Sequence, residues 1–254
     1  MSGHRFFLPP EIFNLPEIVF PATITRQINS VLRLKRGQAV TILDNLGNCR
    51  PVVLDEVENH HVTGTAGDIQ NAPGEPIIKL MLYPALTQRE KFEWILQKGC
   101  ELGVSEFHPL LTSRTLAQEI HGWEEKQSRW QKILQEASEQ CGRGLIPKIL
   151  LPHRFELAVN ELRTTPGFIL HEKEQNIGLT TTLSTLLSSG EKSLAILVGP
   201  EGGFSEEEVE MAEDAGLQTV SLGARVLRME TAAVAACAIC MAAAGELGDL
   251  TVSK

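Results

Sequence analysis

Leu197-Val198-Gly199-Pro200-Glu201-Gly202-Gly203-Phe204-Ser205 is the stretch on which the fold class of this chain turns. It starts inside the apolar run Leu194–Val198 and leads into Ser205-Glu206-Glu207-Glu208. A hydroxyl followed three residues later by a carboxylate is a capping box, so a helix opens there. A wholly apolar strand is covered on both faces, as in a parallel sheet under helices. The stretch therefore reads as strand, glycine loop, helix. In open α/β sheets, ligands bind beyond the carboxyl ends of the strands. Three glycines let backbone groups approach a ligand, and Pro200 stiffens the loop. The loop lacks the G-x-G-x-x-G spacing of a dinucleotide site and the lysine of a P-loop. On spacing alone, a plain turn between strand and helix fits equally well.

A second stretch changes that balance. Ser221-Leu222-Gly223-Ala224-Arg225-Val226-Leu227-Arg228-Met229-Glu230-Thr231-Ala232 follows a short strand, Thr219–Leu222, and leads into an alanine-rich helix, Glu230–Leu247. The N–H groups opening that helix would face the loop. Arg225 and Arg228 stand in an otherwise acidic region; a solvated charge pair is the plainer reading. Two arginines beside two glycine loops at one sheet edge read instead as an anion or nucleotide site.

Working outward, strands and helices alternate. Strands are expected at Ile77–Tyr83, Glu106–Leu111, Pro147–Leu151 and Phe168–His171. Helices are expected at Thr87–Gly99, Trp123–Cys141, Glu156–Arg163 and Thr182–Ser188. This alternation predicts a parallel sheet covered by helices. The first 75 residues are β-rich instead. Ala39–Asp44 and Pro51–Leu54 flank the turn Asn45–Asn48, His61–Thr65 is a third strand, and Thr25–Leu34 is a short helix. Pro73, Gly74 and Pro76 mark a boundary, giving domains at 1–74 and 75–254.

The chain has 254 residues, 43% hydrophobic and 22% charged, which excludes a disordered chain. No apolar run is long enough for a transmembrane helix, and the start is not a secretory signal, so a cytoplasmic location is expected. Five scattered cysteines argue against a disulfide framework. Cys237 and Cys240 lie in an alanine run with no second pair to complete a metal set, so they read as small apolar residues on a buried helix face, and no metal is expected. The net charge of −9 resides wholly in residues 155–254; residues 1–86 carry −1 and residues 87–154 carry +1. A basic face on the first two thirds remains open.

The two C-terminal loops together resemble the signature of the bacterial 16S ribosomal RNA uridine-N3 methyltransferases, members of the SPOUT (trefoil-knot) superfamily. The resemblance extends to His4-Arg5-Phe6-Phe7, to Gln97-Lys98-Gly99-Cys100-Glu101-Leu102-Gly103-Val104, and to Arg129-Trp130 through Glu136-Ala137-Ser138-Glu139-Gln140 with Arg143 and Pro147. It covers residues 4 to about 247. It implies an α/β fold: an N-terminal PUA-like β-barrel plus a C-terminal SPOUT α/β domain with a deep trefoil knot. It also implies a homodimer acting on 16S rRNA within the small ribosomal subunit, with S-adenosylmethionine (SAM) as cofactor.

Carried over residue by residue, the resemblance assigns the cofactor to three loops: Leu170, His171 and Glu172; Leu197, Val198, Gly199, Pro200, Glu201, Gly202 and Gly203; and Ser221, Leu222, Gly223, Arg225, Val226 and Leu227 with Thr231 and Ala232. Leu197, Leu222 and Leu227 would pack on the adenine ring. N3 of uridine carries a proton and is a poor nucleophile until it leaves. Arg228 or Arg225 would stabilise the N3 anion. Glu201 or Glu230 would be the base, with His171 a lesser candidate. Expected RNA contacts are His4, Arg5, Arg26, Arg33, Lys35 and Arg36 in the first domain, and Arg89, Lys91, Arg114 and Arg143 in the second. Rival readings are a SPOUT enzyme for another RNA position or a ribose 2′-OH, a non-catalytic ribosome-assembly factor, and a nucleotide-binding oxidoreductase. The last lacks the first-strand glycine fingerprint.

Overall fold

The structure is a computed structural model and describes residues 3–115 and 122–248; the remaining positions of the two expected domains lie outside the described residues. The chain forms two compact units. The first holds Met1–Glu75 together with Gln135–Ile146, and the second holds Pro76–Leu134 and Pro147–Lys254.

The first unit runs β1 (Arg5–Phe7), α1 (Pro10–Phe13), β2 (Glu17–Val19), α2 (Ala22–Arg26), β3 (Ala39–Leu43), β4 (Asn48–Glu58), β5 (His61–Ala66) and β6 (Gln70–Asn71). Its sheet has the order β1-β3-β4-β5-β2, with β6 also on β4. Only the β1–β3 pairing is parallel. Phe6, Phe13, Ile18, Ile28, Ile42, Leu54 and Val62 fill the core. Arg50 is buried there and donates to the carbonyls of Phe13, Leu15 and Gly67, so its charge is spent on backbone. The expected helix at Thr25–Leu34 starts earlier, behind Pro21, and widens into a π-helical turn over Gln27–Val31. Arg33, at φ 52°, lies beyond its end.

The segment 135–146 departs from the expected division at residue 74. Arg5 donates to the carbonyls of Glu139 and Gln140, and the Phe7 N–H donates to the Glu139 carboxylate. Glu75 receives the Arg143 guanidinium at 3.2 Å and the Leu145 N–H at 2.8 Å. Gly142 sits at φ 88°, where an L side chain is strained, and a Cβ there would press on the Arg5 guanidinium at 3.1 Å. These contacts join residues far apart in sequence, which local periodicity cannot reveal.

The second unit runs β7 (Lys79–Pro84), α3 (Arg89–Glu101), β8 (Val104–Phe107), β9 (Leu110–Leu111), α4 (Trp123–Cys141, its last turns in the first unit), β10 (Lys148–Ile149), β11 (His153–Arg154), α5 (Phe155–Glu161), β12 (Gly167–Leu170), α6 (Leu179–Ser188), β13 (Ser193–Val198), α7 (Glu206–Asp214), β14 (Gln218–Val220) and α8 (Met229–Ala243). Six strands form one wholly parallel sheet in the order β10-β8-β7-β13-β12-β14. The expected strand Glu106–Leu111 is divided: β8 ends at Phe107, and after His108 and Pro109 the chain starts β9, which pairs with β11. Pro109 has no N–H with which to continue the first ladder.

β13 sits mid-sheet and is buried from Leu194 to Val198. From it the chain crosses β12 to form β14, then returns as α8 against α3, α6, β7 and β13. Where it turns back, Ser221 bonds to the segment leaving β12: its N–H donates to the Ile177 carbonyl and its carbonyl accepts from Leu179. The apolar residues of α8, including Cys237 and Cys240, are largely core. Burial pushes the Cys240 thiol up to about 12 and raises Cys237 as well.

Candidate functional site

The carboxyl ends of β12, β13 and β14 open into a cleft of about 1150 Å³. Three loops line it, Leu170–Gly178, Val198–Gly203 and Ser221–Glu230, together with Lys91 and Ala232; Lys173 and Asn176 stand back from it. Neighbouring parallel strands that end on one edge make the cleft, which is why residues fifty positions apart meet in it.

The glycine loop is set by its ends. Val198 closes the buried strand, and Ser205 caps α7. The Ser205 hydroxyl accepts from Glu208 N, while Glu208 Oε2 accepts from Ser205 N at 2.8 Å. The reciprocal capping box expected from the sequence is therefore formed. Between these ends, Gly203 takes φ 68°, a conformation that L side chains rarely adopt. Glu201 is held by Thr87 Oγ1 at 2.6 Å and Lys91 Nζ at 2.8 Å. Burial raises its carboxyl, but these two hydrogen bonds, with its own backbone N–H and the Lys91 charge, outweigh it and hold the group below its ordinary value. A carboxylate held ionised in this way is a poor proton acceptor.

In the third loop, Arg225 and Arg228 are both exposed at the cleft, with Val226 between them 82% exposed. Arg228 is also the N-cap position of α8, in extended conformation. Glu230, in the first turn of α8, lines the cleft, and its Oε2 is buried without a hydrogen-bond partner among the described residues. In the first loop, Glu174 accepts from the N–H groups of Asn176 and Ile177, which hold its carboxyl below the usual range.

Most of the expected cofactor residues meet here. Leu170, His171, Glu172, Val198, Gly199, Pro200, Glu201, Gly202, Gly203, Ser221, Leu222, Gly223, Arg225, Val226, Leu227 and Ala232 line the cleft. Leu197 does not: it is fully buried in the core beneath the sheet edge. Thr231 is exposed outside the cleft lining, one position along the helix from two lining residues. Sequence reasoning missed Glu174, Gln175, Ile177 and Gly178, because the loop after β12 carries no glycine signature, and placed Lys91 among the RNA contacts.

Of the expected RNA contacts, Arg26, Arg33, Lys35 and Arg36 are exposed and His4 is half-buried. Arg89 is exposed and pairs with Glu93. Arg143 is only 3% exposed and pairs with Glu75, so it is a buried structural cation rather than a surface contact. Arg5 is half-buried and engaged with carbonyls. Arg114 donates to carbonyls of the glycine loop.

An open parallel sheet with a three-loop cleft and two arginines at its strand ends is the architecture of an α/β ligand site; its class comes from the match of residues 73–241 to the family described as RNA methyltransferase domain. The chain belongs to that family, among the ribosomal RNA small subunit methyltransferases E. It is 30% identical over 235 residues to ribosomal RNA small subunit methyltransferase E of Bacillus subtilis, covering 90% of this chain and 92% of that one. Its structure is similar to ribosomal RNA small subunit methyltransferase E from Neisseria gonorrhoeae bound to S-adenosyl methionine, with a TM-score of 0.82, 27% identity, and 95% and 98% of the two chains covered. It is also similar to a methyltransferase from Legionella pneumophila in complex with SAM, with a TM-score of 0.83, 28% identity, and 96% and 98% covered.

Proposed function

We propose that this protein transfers a methyl group from SAM to N3 of one uridine in the decoding region of 16S rRNA. The observation that carries this reading is the cleft itself: three loops at one sheet edge, with Arg225 and Arg228 beside them, in a chain of this family. The cleft's chemistry suits SAM. Leu170, Val198, Leu222 and Leu227 offer apolar surface for an adenine ring, and the glycine loops offer backbone groups for its edge. The buried Oε2 of Glu230, without a hydrogen-bond partner among the described residues, is left as an acceptor for a polar group of the ligand.

When bound, SAM supplies an electrophilic methyl group. The chain's residues do the rest. The three loops would hold the cofactor and leave its reactive end open to the uridine base, and holding the two reactants together removes an entropic barrier. Arg228, with Arg225 three residues away, stabilises the negative charge that N3 develops as its proton leaves. Glu201 is bound to Lys91 and Thr87, so its part is to brace the loop rather than to take the proton. The proton goes to water, to the RNA, or to Glu230 or His171 in the cleft.

In this reading the first unit is a PUA-like barrel that holds RNA. The passage of the chain from β14 back to α8, past the segment that leaves β12, is the trefoil knot. The working form is a homodimer, for which analytical ultracentrifugation is the check. The decisive test of function has two parts. Calorimetry should register one SAM site per chain. Nucleoside mass spectrometry of 16S rRNA from a strain lacking the protein should show loss of one N3-methyluridine. Unchanged rRNA modification would overturn the reading.

A further inference from the structure

Arg114 entered as an RNA contact, but its hydrogen bonds give it a different task. We propose that Arg114 is a positioning residue that sets the shape of the glycine loop at the cofactor cleft, an inference that rests on the SAM reading above. One guanidinium nitrogen, Nη1, donates to the Gly202 carbonyl at 2.6 Å and to the Phe204 carbonyl at 3.2 Å. The alkyl stem lies against Gly202: a Cβ built there would meet Arg114 Cδ at 3.5 Å and Cβ at 3.7 Å. The preceding residue adds a third tie, because Ser113 N donates to Glu208 Oε1 at 2.7 Å. The other oxygen of that carboxylate accepts from Ser205 N. The strap 111–115 is thus bonded to the loop on both sides of Gly203.

The strap has its own anchor. Thr112 and Thr115, both buried, share a hydroxyl–hydroxyl bond of 2.8 Å, and Thr112 N donates to Thr115 Oγ1 at 3.0 Å. Arg114 therefore reaches the loop from a fixed base. Gly202-Gly203 has no side chain to restrain it, and a glycine pair loses much conformational freedom when ordered. A charged donor on the carbonyls either side of Gly203 supplies that order before the cofactor arrives, so less is lost on binding.

The test uses Arg114→Met, which keeps the stem on Gly202 and removes the donors, and Arg114→Lys, which restores one charged donor. SAM affinity is measured by calorimetry without RNA, RNA affinity by mobility shift, and cofactor-free Tm by calorimetric scan. A positioning role predicts a SAM Kd about tenfold higher in Arg114→Met, partly restored in Arg114→Lys. RNA affinity should stay unchanged and Tm should move by no more than about 2 °C. Wild-type SAM affinity in Arg114→Met, with weakened RNA binding, would make Arg114 an RNA contact and overturn the proposal. A fall in Tm with unchanged SAM affinity would make it merely structural. Both results leave the SAM reading intact, whereas a wild-type protein that binds no SAM removes the two together.

Discussion

Replacing Gly199 with alanine should damage the cofactor site while leaving the fold. A Cβ at this position would meet Phe204 Cδ2 and Phe204 N at 3.1 Å, and the carbonyl carbon of Gly203 at 3.2 Å. Two of these are backbone atoms of the loop itself. The Phe204 ring is 2% exposed and packs on Phe155 at a centroid distance of 5.4 Å, so it has little room to retreat. Overpacking of this kind costs about 1–3 kcal/mol. The strain falls on residues that shape the cleft, so SAM affinity should drop by about 5- to 150-fold. Gly202 provides a comparison within the same loop. Its nearest contact for a Cβ is 3.5 Å, an ordinary packing distance. Gly202→Ala should therefore lower SAM affinity less than Gly199→Ala does. Calorimetric titration of both variants measures the difference, and Tm should fall by about 2–4 °C per kcal/mol lost. Equal loss of affinity in the two variants, or wild-type binding by Gly199→Ala, would refute the steric argument.

Arg228→Ala should lower kcat by about 100- to 1000-fold while SAM Kd stays within about twofold, since N3 charge appears only on the way to the transition state; weaker SAM binding with intact single-turnover chemistry would reassign this arginine to the cofactor. Burial raises the Glu106 carboxyl, but hydrogen bonds from Lys79 and His108 outweigh it and hold it below its ordinary value of 4.5. The stability it contributes is present above that value and is lost as pH falls through the lowered one, so Tm should decline on acidification below about pH 4.5 and Glu106→Gln should flatten the decline; identical acid slopes for the two proteins would reject this. Assembled small subunits should be methylated faster than naked 16S rRNA, because residues 1–154 carry no net charge and recognition must lean on folded RNA surface; equal initial rates would count against it.

The strand–loop–helix at 197–205 was legible because three local signals coincide there: a wholly apolar run, a glycine cluster and a capping box. The third loop was legible from its arginines. Which side chains face the cleft was not. On a strand covered on both faces, Leu197 and Val198 are equally apolar, and only the sheet determines that Val198 reaches the cleft while Leu197 stays in the core. Charge was likewise silent about partner. Arg143 and Arg26 look alike in sequence, yet one pairs with Glu75 inside the first unit and the other is exposed. The loop after β12 was located only through resemblance, at Leu170-His171-Glu172. Its further residues Glu174, Gln175, Ile177 and Gly178 join the cleft because Ser221 bonds to both sides of Gly178, a long-range pairing with no local signature.

The discontinuity of the first unit sets a schedule for the growing chain. When Glu75 has been made, its two partners Arg143 and Leu145 lie roughly 70 residues ahead. At about 5–20 residues per second, that is a wait of about 4–14 s. Through that interval the β-strands of the first unit have been synthesised, yet the carbonyls that hold Arg5 and the carboxylate that holds Phe7 N do not exist. The nascent unit therefore completes only after α3 and the whole of α4 have been synthesised, and its closure is timed by a segment encoded within the second.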